Sequence, residues 1–179
     1  MPLDPWSYAD KYRSEHAHQT ALFMWANMAQ RFGSIIADDP HSYTVANFAK
    51  SQFENAGKLG YKRYTAPISQ LKWLHAIHNQ GHGDAIRGGK ARAEGVKAGV
   101  ADVFLPVPIN APWSTGFPNG NKLVTYCGLY LELKVDKNKP SAIQEEFLAD
   151  MRAAGYAAEW ATGWLEARDK ILAYLQIRA

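Results

Sequence analysis

Glu132 and Lys134 stand two residues apart in the run Leu129-Tyr130-Leu131-Glu132-Leu133-Lys134-Val135, where every other side chain is apolar or aromatic. Side chains alternate faces along a strand, so Tyr130, Glu132 and Lys134 share one face, and Leu129, Leu131, Leu133 and Val135 share the other. A carboxylate and an ammonium in such a strand are costly unless each finds a partner. A structural ion pair between the two is one reading. The other is a metal-binding carboxylate beside a lysine that handles a nucleophile or a developing charge. Asp102 opens an earlier apolar stretch, Val103-Phe104-Leu105, and antiparallel pairing of the two stretches would bring it to Glu132 and Lys134. Glu15 sits seven residues before Leu22, at the N-terminal end of an apolar helical stripe. Three carboxylates and a lysine are hard oxygen ligands with a cation beside them. They suit Mg²⁺ or Mn²⁺, which keep several waters and gain contacts from substrate phosphates. A metal there would acidify a water and neutralise charge on phosphorus.

The elements that must position these groups follow from periodicity. Leu22, Trp25, Met28, Ala29 and Phe32 recur at helical spacing within 14–32, and Gly33 is a natural stop. A second helix is predicted over 42–55, a basic loop over 58–69, a strand over 71–78, a Gly/Asn loop over 79–84 and a short glycine-weakened helix over 85–98. A turn and short strand follow over 99–106. The stretch 106–121, with Pro108, Pro112 and Pro118, reads as a long hairpin loop, and 122–135 as one strand. Ser141 and Gln144 form an S-x-x-Q capping box at the head of a helix reaching 154. A strand over 156–161 and a last helix capped by Thr162 complete the chain. The strand–helix–strand unit over 122–161 is expected to be a right-handed parallel crossover. The pattern predicts a single α/β domain over 1–179, with helices on the faces of a sheet.

Composition sets limits. The 179 residues suffice for a real core, and 21% are charged. No apolar run approaches the roughly 20 residues of a membrane span, and the N-terminal residues do not read as a secretory leader. Cys127 is the lone cysteine, which excludes an internal disulfide and a multi-thiolate zinc site and fits a reducing, cytoplasmic setting. The net charge is only +3, but the middle of the chain is basic: Lys58, Lys62, Arg63, Lys72, Arg87, Lys90, Arg92 and Lys97. That distribution suits a polyanion, although basic runs are more often solvated faces. Asn79 and His82, in a loop beside those residues, are candidates for phosphate contact. His75 and His78 would lie on opposite faces of a strand, which disfavours a zinc trio with His82. Trp73, Trp160 and Trp164 read as core, and Trp113 could stack on an unpaired base.

Gly99-Val100-Ala101-Asp102, then Glu132-Leu133-Lys134, then Gln144 in the next helix resemble the motif of the PD-(D/E)xK nucleases. The run Ala91-Arg92-Ala93-Glu94-Gly95-Val96-Lys97-Ala98-Gly99-Val100-Ala101-Asp102-Val103-Phe104-Leu105-Pro106 is similar, more narrowly, to the virus-type replication-repair nuclease (VRR-NUC) family. So are Ala76-Ile77-His78-Asn79, Gly155-Tyr156 and the Glu15-His16-Ala17-His18-Gln19 helix start. Ala101 and His78 stand where that family usually has proline. The resemblance implies a restriction-endonuclease-like mixed β-sheet flanked by helices, with insertions at about 33–70 and 106–122. It implies Mg²⁺- or Mn²⁺-dependent hydrolysis of DNA phosphodiester bonds. Asp102, Glu132 and the carbonyl of Leu133 would be metal ligands, with Glu15 a further one through water. Lys134 would be the catalytic lysine, and Gln144 would orient it or a phosphate. Small members, often from phages and bacteria, resemble Holliday-junction resolvases that act as homodimers on branched DNA. A sequence-specific restriction-type enzyme and a non-catalytic DNA-binding module are the alternatives.

Overall fold

The leucines of the acid-bearing strand explain the layering. Leu129, Leu131 and Leu133 are each 1% exposed, and with Val103 and Leu105 they form one face of a sheet. Burying each leucine stabilises the fold by roughly 2 kcal/mol. The computed structural model describes residues 4–43, 66–77, 93–111 and 124–177. Its helices are α1 (Pro5–Tyr12), α2 (Glu15–Phe32), α3 (Ser34–Ala37), α4 (Ala142–Ala153) and α5 (Gly163–Tyr174). Its strands are β1 (His75–Ala76), β2 (Val103–Leu105), β3 (Ile109–Ala111), β4 (Val124–Tyr126), β5 (Leu129–Lys134) and β6 (Ala157–Thr162).

Four strands form a mixed sheet in the order β1-β2-β5-β6. β2 pairs antiparallel to β1 and to β5, while β5 and β6 are parallel through α4, as the strand–helix–strand pattern predicts. The leucine face is covered by Ala21, Leu22, Trp25 and Ala29 of α2 and by Trp164, Ala167 and Ile171 of α5. The other face carries a smaller core of Ala101, Leu148 and Ala158, packed by Tyr130, Phe147, Met151 and Trp160. This is the expected α/β fold, a mixed sheet flanked by helices.

Several elements differ from their sequence reading. The predicted strand over 71–78 is a 3-10 turn over Ser69–Trp73 followed by the two-residue β1. The mixture of apolar and polar residues there matches neither strand face. Trp73, expected in the core, is 57% exposed with the Lys72 ammonium 4.8 Å over its ring. The predicted strand over 122–135 is broken at Cys127–Gly128. A Cβ at Gly128 would lie 2.8 Å from Phe104 and 2.9 Å from the Leu105 carbonyl, so only glycine admits that close approach. The upstream half, β4, pairs instead with β3 as a separate two-stranded ribbon. The loop expected over 106–121 therefore contains the strand β3. α1 was not anticipated, although Asp4 caps it through Ser7 N–H and Pro5 opens it. Of the helix expected over 42–55, the described part is the end of a 3-10 turn over Pro40–Tyr43. Of that over 85–98, Ala93 is helical and residues 94–98 lie in turns and coil; the remainder of both lies outside the described residues. Thr162 does not cap α5 with its hydroxyl; its N–H donates to the Glu166 carboxylate at 2.7 Å.

Candidate metal and phosphate site

The β2–β5 register aligns Val103 with Leu131 and Phe104 with Tyr130. Carried one residue further, it sets Asp102 opposite Glu132. Asp102 leaves the ladder at that point and uses its side chain: Oδ2 accepts the Leu133 N–H at 2.8 Å. The N–H and carbonyl of one strand residue point toward the same neighbour, so the Leu133 carbonyl also faces the Asp102 side of β5. Ile77 N–H donates to the Asp102 carbonyl at 2.7 Å, which fixes the aspartate's backbone from β1.

Glu132 and Lys134 are the buried charges of β5, at 1% and 6% exposure. Lys134 Nζ lies 2.7 Å from Glu132 Oε1 and 3.3 Å from Glu15 Oε1. Glu15 is held there because Ser14 caps α2, accepting the Ala17 N–H at 3.1 Å, and so makes Glu15 the first helical residue. Its side chain remains nearly half exposed, so it faces solvent rather than ending a buried stripe. Gln144 serves two ends. Its amide oxygen accepts the Ser141 N–H at 2.8 Å, completing the capping box of α4, and its amide nitrogen donates to Glu132 Oε1. The capping box expected from the sequence is present, and the same side chain also contacts Glu132.

The electrostatics are those of a site short of positive charge. Burial and then the neighbouring Asp102 push Glu132 from its ordinary 4.5 up to about 7, against the pull of Lys134. Burial likewise raises Asp102, opposed by the Leu133 N–H and by Lys134. Burial works against the Lys134 ammonium, but the Glu132 and Glu15 carboxylates outweigh it and hold its pKa above the usual lysine value. Glu132 Oε2 is buried without a hydrogen-bond partner, an arrangement whose desolvation cost is large for a carboxylate.

The donor set fits a hard divalent cation. Asp102 and Glu132 supply two carboxylates, Glu132 Oε2 is buried without a hydrogen-bond partner, and the Leu133 carbonyl faces the same side. Among the described residues no three His, Cys, Asp or Glu side chains gather as a ligand group, so Glu15 does not close the set directly. Mg²⁺ is commonly held by one or two carboxylates, with water and phosphate completing its shell. The two carboxylates therefore suffice.

The remaining candidates separate. Lys97 is exposed in a turn region. Asn79, His82, Arg87, Lys90 and Arg92 lie outside the described residues, as do His78 and Trp113. His18 was missed as a positioning residue. Its Nδ1 accepts the Trp164 N–H at 3.2 Å and so caps α5, and burial lowers its pKa, keeping the ring neutral for that task. The two residues are 146 positions apart, and no local pattern signals the contact.

The fold and site thus define an α/β protein with a carboxylate–lysine centre at the end of a mixed sheet. No protein-family model matches the chain, and no curated protein matches it. Among solved structures, the chain is similar to a VRR_NUC domain protein, with a TM-score of 0.46 and 19% identity over 72% of this chain and 88% of that one.

Proposed function

We propose that the protein is a metal-dependent DNA endonuclease that hydrolyses phosphodiester bonds, selective for branched DNA. The observation that carries the reading is Glu132: a carboxylate buried beside Asp102, with one oxygen on Lys134 and the other unpartnered. Asp102, Glu132 and the Leu133 carbonyl would hold Mg²⁺ or Mn²⁺, with Glu15 contributing through water. When bound, the ion supplies Lewis-acid activation of water and of the phosphoryl oxygens.

The chain's own residues do the rest. Lys134, kept charged by two carboxylates, neutralises charge developing on the phosphoryl oxygens and positions the attacking water. Gln144 holds Glu132 in one orientation from the head of α4, and the Leu133 N–H holds Asp102. Lys97, with Asn79, His82, Arg87, Lys90 and Arg92, serves the DNA backbone, where cationic contacts give affinity without sequence information.

The test is a substrate panel of four-way junctions, flaps and linear duplex, incubated with Mg²⁺, Mn²⁺ or EDTA. Cleavage of junctions and flaps with metal, abolished by EDTA and by Lys134→Ala, is expected. Cleavage that survives both would overturn the mechanism. Defined fragments from linear duplex would favour a restriction-type enzyme, and junction binding without product a non-catalytic module. Light scattering in parallel tests the expected homodimer.

A further inference from the structure

A cleft of about 610 Å³ lies between α2 and the β1 edge, lined by His16, Gln19, Thr20, Phe23, Met24, Asn27, Ala76, Ile77 and Asp102. It begins at the metal and phosphate site, because Asp102 is part of its wall. The helical side of the lining spans His16 to Asn27, about 16 Å at 1.5 Å per residue. Apart from Phe23, which also packs against the core, it is a different face of α2 from the one that carries Ala21, Leu22, Trp25 and Ala29.

The chemistry of the wall selects its occupant. Among the described lining residues none is Lys or Arg, and Asp102 is acidic, so this part of the wall does not attract a phosphate. Phe23, Met24 and Ile77 offer an apolar surface, while Gln19 and Asn27 offer amides that both donate and accept. The Thr20 hydroxyl proton is already committed to the His16 carbonyl at 2.9 Å, which leaves its oxygen only as an acceptor. An apolar slot rimmed by amides matches a heterocyclic base, whose faces are apolar and whose edges carry alternating donors and acceptors.

We propose that this cleft receives an unpaired nucleobase of the DNA, next to the carboxylates of Asp102 and Glu132. A base inside a duplex cannot enter, since both its faces are stacked and its edge is paired; it must be extruded or already unpaired. The cleft would then be the device by which the enzyme prefers branched or frayed DNA. The inference rests on the nuclease reading for its biological meaning, but the binding itself does not require catalysis.

The experiment separates the two. The metal-free, full-length protein, isotopically labelled, is titrated with the four deoxynucleoside monophosphates and with deoxyribose 5-phosphate, which lacks a base. The nucleotides should shift the Gln19 and Asn27 side-chain amides and the Ile77 N–H, and the base-less sugar phosphate should not. Gln19→Ala/Asn27→Ala should weaken nucleotide binding about tenfold or more, as the loss of two hydrogen bonds would. Asn27→Trp, which fills the cleft from an exposed helical position, should abolish it; circular dichroism checks that both variants fold. Absent shifts, equal shifts with the sugar phosphate, or unchanged binding in the variants would overturn the proposal. In parallel, the wild-type protein with Mg²⁺ is given flaps carrying a base or an abasic site beside the cut. Nucleotide binding without any cleavage removes the nuclease reading and leaves the cleft. Cleavage that ignores the abasic site removes the cleft and leaves the nuclease.

Discussion

Replacing Glu132 by glutamine should stabilise the metal-free protein at pH 8, and the reason lies in the sign of its pKa displacement. Glu132 moves from an ordinary 4.5 to about 7, chiefly through burial and then Asp102. A raised carboxyl pKa means that the folded state holds the proton more tightly than the unfolded chain. The stabilisation is fully present below pH 4.5 and is lost as pH climbs through 7. The gap corresponds to roughly 3 kcal/mol at about 1.4 kcal/mol per pH unit. Glutamine mimics the protonated acid: its carbonyl can still accept from Gln144 and Lys134, but it brings no charge to be desolvated. Urea unfolding of both proteins at pH 4.5 and pH 8, without divalent metal, measures the effect. Carboxylates remote from the site titrate alike in both proteins and cancel in the comparison. The variant should gain on the wild type by roughly 3 kcal/mol between the two pH values, a midpoint difference on the order of 1 M urea. A difference between the proteins that is the same at both pH values would refute the argument. So would a wild type that gains on the variant at pH 8, because Lys134 would then outweigh burial and Asp102.

Three further outcomes follow from the same geometry. Mn²⁺ affinity, measured by calorimetry from pH 5 to 8, should rise about tenfold per pH unit below 7 and level off above it, since the ion must displace the Glu132 proton; a flat profile would exclude Glu132 as a ligand. Lys134→Ala should lower the junction cleavage rate by about 10²–10⁴-fold while junction binding in EDTA is retained, as gel shift and single-turnover assays would report. Gly163→Ala should destabilise the fold by about 1–2 kcal/mol in denaturant melts. Gly163 has φ +75°, and a Cβ there would lie 3.1 Å from His18 Nδ1, so the substitution strains the backbone and crowds the α5 cap together.

Period-2 alternation made the grouping of these side chains legible in the sequence. It put Glu132 and Lys134 on one face and the leucines on the other, and the hairpin order brought Asp102 alongside. Local capping chemistry was legible too, at Ser141–Gln144, because a cap needs only residues three or four apart. What escaped was set by distant parts of the chain. The break at Gly128 depends on Phe104 packing beside it, and an apolar run on both sides of a glycine reads as one strand. β1 is two exposed residues long and carries no periodicity of its own. The neutral His18 caps a helix that begins at Gly163, which no reading of α2 alone reveals. α1 is different. Its Asp4–Pro5 start is a local signal, and only the weak apolar pattern behind it concealed the helix.

Gln144 places an unusual restriction on how this chain can drift. At the third position of a helix, glutamate and glutamine are interchangeable partners of a capping serine, so a lineage could ordinarily exchange them without penalty. Here glutamate would keep α4 capped yet set a further carboxylate against Glu132, which already has Asp102 and Glu15 as like-charged neighbours. The helix would tolerate the exchange, but the sheet beneath it would not. Selection at a helix cap is thus imposed from the adjacent strand. Position 141, which touches Gln144 rather than Glu132, remains open to the other small capping residues.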